Sequence, residues 1–417
     1  MGASDKRRPV PIARIANGSV ARMGFGKGVV VERRLSLRET NRALRAERTA
    51  ARRRVLACLA VLAVLAFLSL GLVGAQGRYY LGSHEYAFYS PLEVARAIYM
   101  HVYCALATAT HAFEAPSAQW LTDNVPGYWA VGNRAGVIGI TLVCAVLLSV
   151  SGMLYQNVFR NPLAGPGMLG VSTGAGLGVM VLVLVYGAAA PAMVSQRYAL
   201  CYGAGALVMV LVMAAGKYLS APGRFDVMTM MLVGAIFAQL LGFVVSYVTL
   251  FVMDDVDYAV YFEVSQMLVV DTSALSWACL GVAALASVLP IYLLRFPMNA
   301  LAFEEAEVRA LGLDSNRLRM VALICGAVMI LAAQVHTGMV GMVSLIVPFL
   351  ARSWFGCEFG HQLAGNACIS TVLLLACRDL ADAVPFVGDG LAVGSVVGVV
   401  ALPLFLLVVA RQQRSWE

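Results

Sequence analysis

The sequence predicts an all-α protein, a polytopic transmembrane helical bundle of about ten spans. Of its 417 residues, 60% are hydrophobic and only 13% are charged, and the mean hydropathy is +0.80. Soluble proteins carry about a quarter charged residues. Runs of roughly 20 apolar residues recur along the chain, and each is long enough to cross a bilayer core of about 30 Å as a helix. These observations exclude soluble enzymes and nucleic-acid binders as primary interpretations.

Positive charge is concentrated at one end of the chain. The net charge is +7, and 15 of the 30 lysines and arginines lie in residues 1–54. Most of the others flank apolar runs, which is the positive-inside pattern that sets the orientation of membrane proteins. We therefore expect a basic cytoplasmic tail over residues 1–54, in contact with membrane lipid, and a transmembrane domain over residues 55–417. Both termini are expected in the cytoplasm, and no nucleic acid is expected to bind.

The apolar runs give an ordered set of expected spans. Their approximate bounds are 55–73, 136–154, 168–186, 200–215, 228–251, 276–294, 320–336, 340–354, 364–384 and 391–410. Between the first two spans, the stretch SPLEVARAIYMHVY predicts a helix on the outer side, with Ser90 as its N-cap and Pro91 in its first turn.

One polar stretch interrupts the second half of the chain. Residues 295–319, RFPMNALAFEEAEVRALGLDSNRLR, form what we call the polar segment. Its acidic residues and Arg309 cannot lie in hydrocarbon, so the segment must face water or a partner protein. Its alanines favour a short helix, and Gly312 is a typical helix stop. Such a helix could bind a soluble protein; a solvated connector is the alternative interpretation.

A second stretch, GMLYQNVFRNPLAGPGMLGVSTGAG, also breaks the apolar pattern. Arg160, Asn161 and Pro162 interrupt one span and Pro166 begins the next. Residues 160–166 are therefore expected to form a tight cytoplasmic turn, which we call the RNP turn. The glycines that follow it permit close helix packing. The turn is interpreted as a gate or coupling surface, or else as a purely structural turn.

Both stretches resemble motifs of the FecCD-type permease family, the membrane subunits of type II ABC importers for iron-siderophore complexes, haem and cobalamin. GMLYQNVFRNPLAGPGMLGVSTGAG is similar to the family's G-x-x-x-Q-x-x-x-R-N-P-L-A-x-P-x-x-L-G-V-S-x-G-A motif. PMNALAFEEAEVRALGL resembles its cytoplasmic loop between the sixth and seventh spans, and TGMVGMVSLIVPFLAR and SPLEVARAI are similar to two further family segments. The resemblance covers roughly residue 55 to the end and implies the type II ABC importer permease fold.

The resemblance also implies a function and a set of site residues. The chain would be the permease subunit that moves an iron-siderophore complex, haem or cobalamin-type cargo across the plasma membrane. Its partners would be an ABC ATPase subunit, an extracytoplasmic substrate-binding protein and a second permease copy. The ATPase-coupling residues would be Glu304, Glu305, Arg309, Leu311 and Gly312. The cytoplasmic turn or gate would comprise Gln156, Arg160, Asn161, Pro162 and Pro166. The residues lining the pathway would be Gly234, Gln239, Gly242, Val393 and Gly394.

Several positions in the C-terminal spans depart from the family pattern. The family's G-P-I-G proline is Met339 here, a following glycine is Ser344, and the histidine of its P-H-I-A-R stretch is Phe349. The family's A-D-x-L-A-R stretch is replaced by CRDLAD. Arg378 and Asp382 lie one helical turn apart there, and a structural i,i+4 ion pair is favoured over a functional intramembrane pair.

Other residue types give no sign of catalysis or metal binding. The chain has no G-x-x-x-x-G-K-[ST] phosphate loop, so ATP use is assigned to the partner, and no enzyme activity or bound cofactor is expected. Nine cysteines lie mostly in apolar runs without metal spacing and are expected to pack. The expected surface histidines are His84, His101, His111 and His336. The rival function is an ion-gradient-driven secondary transporter, which the scarcity of acidic residues in the predicted spans disfavours.

Overall fold

The computed structural model describes residues 37–71, 89–110, 116–220, 227–266, 270–303, 305–356, 358–383 and 392–413, together with three residue pairs nearer the N-terminus. Those pairs are two-residue strands, β1 (Ile15–Ala16), β2 (Ser19–Val20) and β3 (Arg33–Arg34), which form an antiparallel sheet in the order β1-β2-β3. The rest of the described chain is dominated by helices, and this confirms the predicted all-α class.

The described helices follow the apolar runs of the sequence. They are α1 (Leu37–Leu70), α2 (Pro91–Thr110), α3 (Ala118–Asn124), α4 (Tyr128–Phe159), α5 (Val171–Tyr186), α6 (Val194–Leu219), α7 (Val227–Phe251), α8 (Asp255–Gln266), α9 (Ala274–Leu293), α10 (Arg295–Met298), α11 (Glu305–Ala310), α12 (Ser315–Thr337), α13 (Met342–Phe355), α14 (Phe359–Ala383) and α15 (Val393–Gln413). Short 3₁₀ turns lie at Pro166–Leu169, Gly187–Ala192 and Asn299–Ala302.

Ten apolar helices occupy the positions of the ten expected spans. Within the described residues, eight of them are long and apolar enough to cross a membrane, namely the crossing parts of α1, α4, α5, α6, α7, α9, α12 and α14. The other two, α13 and the apolar part of α15, are shorter. With 14 residues, α13 is about 21 Å long. The expected span 340–354 is therefore too short to cross a core of about 30 Å by itself.

Two helices extend beyond the bounds expected from hydropathy. α4 begins at Tyr128 and not near residue 136, so Arg134 lies inside the helix. α1 runs without a break from Leu37 to Leu70, through the boundary expected at residue 54. Both extensions contain charged residues, so a hydropathy pattern does not include them. The backbone nevertheless remains helical there.

The predicted cap at the start of α2 is present. Glu93 N donates to Ser90 Oγ at 3.3 Å, and Ser90 N donates to Glu93 Oε2 at 2.8 Å. This reciprocal pair is a capping box, which satisfies backbone donors that the first turn leaves free. The helix therefore begins where the sequence predicts.

The core of the bundle lies around α4 and α12. In each of them 78% of the membrane-crossing stretch is buried, against 6% for α1 and 17% for α7. α4 packs against α12, α13 and α14. Its contact with α13 is so close that a Cβ at Gly152 would lie 1.6 Å from Ser344 O. α4 is thus a central helix around which the other helices of the bundle pack.

Candidate functional site

The polar segment folds into consecutive short turns. α10 leads into the 3₁₀ turn at Asn299–Ala302, and α11 follows. Gly312 then adopts φ +74°, a left-handed conformation that glycine reaches without strain. Asp314 caps α12 by accepting hydrogen bonds from the backbone N–H groups of the following turn. The predicted short helix and its glycine stop are confirmed.

α11 and the turn after it present a buried side and an exposed side. Val308 is fully buried, whereas Arg309 is exposed and Leu311 is 63% exposed. Glu304 lies outside the described residues; Glu305 begins α11, but its side chain is not described. The exposed residues of this stretch thus include both a guanidinium and an apolar side chain, residue types that are common in protein interfaces.

Among the described residues, two sets of hydrogen bonds fix the polar segment to the bundle. In the first, Asn299 Oδ1 accepts a hydrogen bond of 2.9 Å from Phe359 N, at the start of α14. In the second, Arg160 of the RNP turn donates from Nε to Leu301 O at 3.2 Å and from Nη2 to Phe303 O. The two stretches that the sequence singled out therefore meet at one end of the bundle.

The RNP turn is tight, as predicted. Arg160 ends α4 with φ 50°. The side chain of Asn161 accepts a hydrogen bond of 2.9 Å from the backbone of the same turn. Pro162 is exposed, while Pro166 is buried at the first position of the following 3₁₀ turn. The turn holds its shape through local contacts, and only Arg160 of these four residues reaches the polar segment through a described hydrogen bond.

The last turn of α4 is tied to α13 on its other side. Gln156 Nε2 donates to Leu345 O at 2.9 Å. Arg352 Nη2 donates to Gln156 Oε1 at 3.2 Å and to Asn157 Oδ1 at 3.3 Å. Sequence reasoning selected Gln156 but missed Asn157 and Arg352. The available signal was the arginine that ends the stretch TGMVGMVSLIVPFLAR.

The residues predicted to line the pathway divide into two groups. Three of them are packed within the bundle: Gly234, Val393 and Gly394. A Cβ added to Gly234 would lie 2.4 Å from a carbonyl oxygen of the 3₁₀ turn before α5. A Cβ added to Gly394 would lie 2.3 Å from a carbonyl oxygen of the loop before α13. On α7, Gln239 is exposed, and the space beside Gly242 is open. The part of these residues in a pathway remains a prediction.

The departures from the family pattern occupy contacts of α13. The backbone carbonyl of Ser344 lies at the close contact between α13 and Gly152 of α4. The Phe349 ring lies 5.4 Å from the Phe405 ring of α15, and Met339, in the loop before α13, is 45% exposed. These substitutions therefore bear on how α13 packs between α4 and α15.

A buried ionic cluster lies toward the opposite end of α4. Arg134 donates to Asp379 Oδ1 at 2.7 Å and forms an ion pair with Asp382. The predicted pair of Arg378 and Asp382 is present at 3.9 Å, as part of this larger cluster. Sequence reasoning missed Arg134 because the second span was expected to begin after it.

His336 was expected at the surface, and this prediction is wrong because the residue is buried. Its ring is buried, with Nδ1 3.0 Å from Ser276 Oγ and Nε2 3.1 Å from Tyr202 OH, so both ring nitrogens have polar partners inside the bundle. Two others lie outside the described residues, His84 and His111. In the part of the chain that the structure describes, no group of three or more His, Cys, Asp or Glu is placed to hold a metal ion.

A comparison with known protein families identifies the family of this chain. The model of the FecCD transport family matches residues 107–411. The chain belongs to the FecCD transport family. The resemblance of its motifs to FecCD-type proteins is therefore confirmed, and the chain is a multi-span membrane protein of that family.

Relatives in the FecCD family are similar to this chain over most of their length. The hemin transport system permease protein HmuU of Yersinia pestis is 27% identical over 71% of this chain and 88% of its own. The Fe(3+) dicitrate transport system permease protein FecC of Escherichia coli K12 is 27% identical over 66% and 80%. The vitamin B12 import system permease protein BtuC of Salmonella typhi is 28% identical over 66% and 81%. Their names give three different cargoes.

A solved structure has a fold similar to that of this chain. A metal-chelate type ABC transporter in an inward-facing conformation matches with a TM-score of 0.58 and 19% identity, over 77% of this chain and 99% of the other. At this identity the likeness concerns the fold alone, and it confirms the predicted fold class.

Proposed function

We propose that this chain is the permease subunit of an ABC importer and that it moves an iron-siderophore complex, haem or cobalamin-type cargo across the plasma membrane. The observation that carries the proposal is the polar segment, a short helix held against one end of the bundle with Arg309 and Leu311 exposed. Membership of the FecCD family supports the transport role. Relatives named for hemin, ferric dicitrate and vitamin B12 support the cargo class.

The energy for transport comes from a separate ATPase subunit in this proposal. The ATPase binds the exposed side of α11 in the cytoplasm. Asn299 and Arg160 attach the polar segment to α14 and to the end of α4. A displacement of the segment can reach α14 and the end of α4 through these attachments, in addition to its covalent links to α9 and α12. The reaction is a conformational change that opens the cargo site to one face of the membrane and then to the other.

Three further partners complete the proposal. An extracytoplasmic binding protein delivers the cargo at the end opposite the polar segment. A second permease copy, of the same or a related chain, packs against exposed apolar side chains of α7 such as Ile236, Leu240 and Phe243. Membrane lipid covers the remaining apolar surface and contacts the basic tail.

An ion-gradient-driven transporter is the rival function. Such proteins use carboxylates within the membrane to carry protons or cations. In the spans that the structure describes, the half-buried carboxylate of Asp379 and the buried carboxylate of Asp382 are paired with Arg134. This pairing supports a structural role for them, since a carboxylate neutralised by arginine is a poor site for another cation.

The test is reconstitution of this chain with its ATPase and binding protein in proteoliposomes, with haemin, ferric dicitrate and vitamin B12 as probes. Uptake is expected to require ATP and to be unchanged by an imposed proton or sodium gradient. Arg309→Glu reverses the charge on the exposed side of α11, and we expect normal insertion with uptake per ATP reduced about fivefold or more. Uptake that follows the gradient without ATP would overturn the proposal.

A further inference from the structure

Arg160 provides hydrogen bonds to carbonyls at the end of a turn in the polar segment. Leu301 lies in the 3₁₀ turn Asn299–Ala302 and Phe303 is its C-cap, where a helix leaves C=O groups without partners in its own backbone. The guanidinium reaches both, with Nε 3.2 Å from Leu301 O and Nη2 donating to Phe303 O. A planar guanidinium holds two acceptors in fixed geometry, whereas a lysine ammonium is a point charge on a flexible stem.

The backbone of Arg160 has a conformation that favours glycine. Its φ of 50° makes it the one non-glycine residue with positive φ in the described parts of the chain. A side chain is disfavoured there because its Cβ crowds the neighbouring carbonyl. Glycine at this position would ease the backbone and delete the guanidinium, so it separates the role of the side chain from the formation of the turn.

The same end of α4 is bound to α13. Gln156, one helical turn before Arg160, donates to Leu345 O and accepts from Arg352, which also donates to Asn157. The approach of Gly152 to Ser344 O leaves no room for the two helices to slide freely. The end of α4 thus has the polar segment on one side and α13 on the other.

We propose that Arg160 is a positioning residue that transmits displacement of the polar segment through the end of α4 to α13. This inference rests on the proposed function, because a displacement requires an ATPase that moves the segment. The guanidinium is the described side chain that joins the RNP turn to the segment, and Gln156 and Arg352 carry the motion onward.

Hydrogen–deuterium exchange on the complex with the ATPase tests the proposal without knowledge of the cargo. Exchange is compared between nucleotide-free and ATP–vanadate-trapped complexes at α11 and at residues 351–355, the end of α13. The variants are Arg160→Lys, which keeps the charge, and Arg160→Gly, which eases the backbone. Arg96→Lys is the matched control, since Arg96 is exposed on α2, outside both the polar segment and the end of α4.

In the wild type and in Arg96→Lys, nucleotide is expected to change exchange at both α11 and the end of α13. In both Arg160 variants the change at α11 remains, while the change at the end of α13 falls about fivefold or more. An unchanged α13 response in both variants overturns the inference. Loss of the α11 response in them overturns it as well, because Arg160 would then serve docking and not transmission. No response at α11 in the wild type contradicts the proposed function itself.

Discussion

Arg134 on α4 and Asp382 on α14 form a buried ion pair although they lie 248 residues apart in the sequence. Arg134 also donates to Asp379 at 2.7 Å and to Ser69 O, at the end of α1, at 3.2 Å. Together with Arg378, two arginines and two aspartates share one buried cluster. This balance of charge allows ionised groups to lie inside the bundle. The cluster also fastens α1, which is otherwise mostly exposed, to α4 and α14.

Removal of one member of this cluster is expected to destabilise the protein strongly. Arg134→Met leaves the buried carboxylate of Asp382 and the half-buried carboxylate of Asp379 with one arginine, and breaking a buried pair in this way typically costs about 3–5 kcal/mol. The double variant Arg134→Met/Asp382→Leu keeps one charge of each sign and should recover much of the loss. Thermal unfolding of the detergent-solubilised protein measures both. Equal loss in the single and double variants would contradict the proposed balance of charge.

The contact between Gly152 and Ser344 predicts a large effect from a single methyl group. In Gly152→Ala the new Cβ would lie 1.6 Å from a backbone oxygen, so α4 and α13 must separate. We expect a loss above the about 1–3 kcal/mol typical of overpacked cores, because the opposing atom cannot rotate away. Gly281→Ala on α9 is the control, since its added Cβ lies more than 4 Å from every described residue outside its own stretch of helix backbone. A similar stability for the two variants would show that the helices are not in this contact.

Asp271, in the segment between α8 and α9, predicts a dependence of stability on pH. Burial opposes its ionisation, but hydrogen bonds from Ser273 and Tyr198 outweigh burial and lower its pKa below the ordinary 3.8. A lowered folded pKa means that the ionised group stabilises the fold above the ordinary value and loses this effect as pH falls through the folded pKa.

The variant Asp271→Asn checks this dependence. We expect the difference in melting temperature between wild type and variant to stay constant from neutral pH to about pH 5 and to narrow in more acidic solution, below the ordinary pKa. A difference that narrows already between neutral pH and about pH 5 would mean that another group, with a higher pKa, is responsible.

Leu311 is expected to contribute to ATPase binding and not to stability. Its side chain is 63% exposed, so Leu311→Asp removes little buried surface from the chain itself. In a protein interface the new carboxylate would be desolvated, and we expect the affinity for the ATPase to fall about tenfold or more. Titration of the ATPase onto the reconstituted permease measures the affinity, and thermal unfolding serves as the control. Unchanged affinity would place the ATPase elsewhere.

Hydropathy predicted the spans best where the chain is uniformly apolar. α7 runs from Val227 to Phe251, against an expected 228–251, because no charged residue interrupts it. α4 was predicted too short because the expected span began after the charged residue Arg134. Its partners Asp379 and Asp382 lie about 250 residues further along, and a local pattern cannot reveal that the charge is neutralised there.

The sequence predicted the two separate parts of the candidate site but not the contact that joins them. The helix-forming alanines and Gly312 located the short helix, and the prolines located the RNP turn. The link between them joins the Arg160 side chain to two backbone carbonyls. Every residue has a backbone carbonyl, so the sequence holds no signal for such a contact; only the fold brings the groups together.

We propose that an ATPase drives this permease by binding the polar segment. Photo-cross-linking from a benzoyl-phenylalanine at position 311, in membranes that contain the assembled complex, tests it most directly. We expect a covalent adduct with the ATPase subunit. Adducts with lipid or with the extracytoplasmic binding protein, and none with the ATPase, would contradict it.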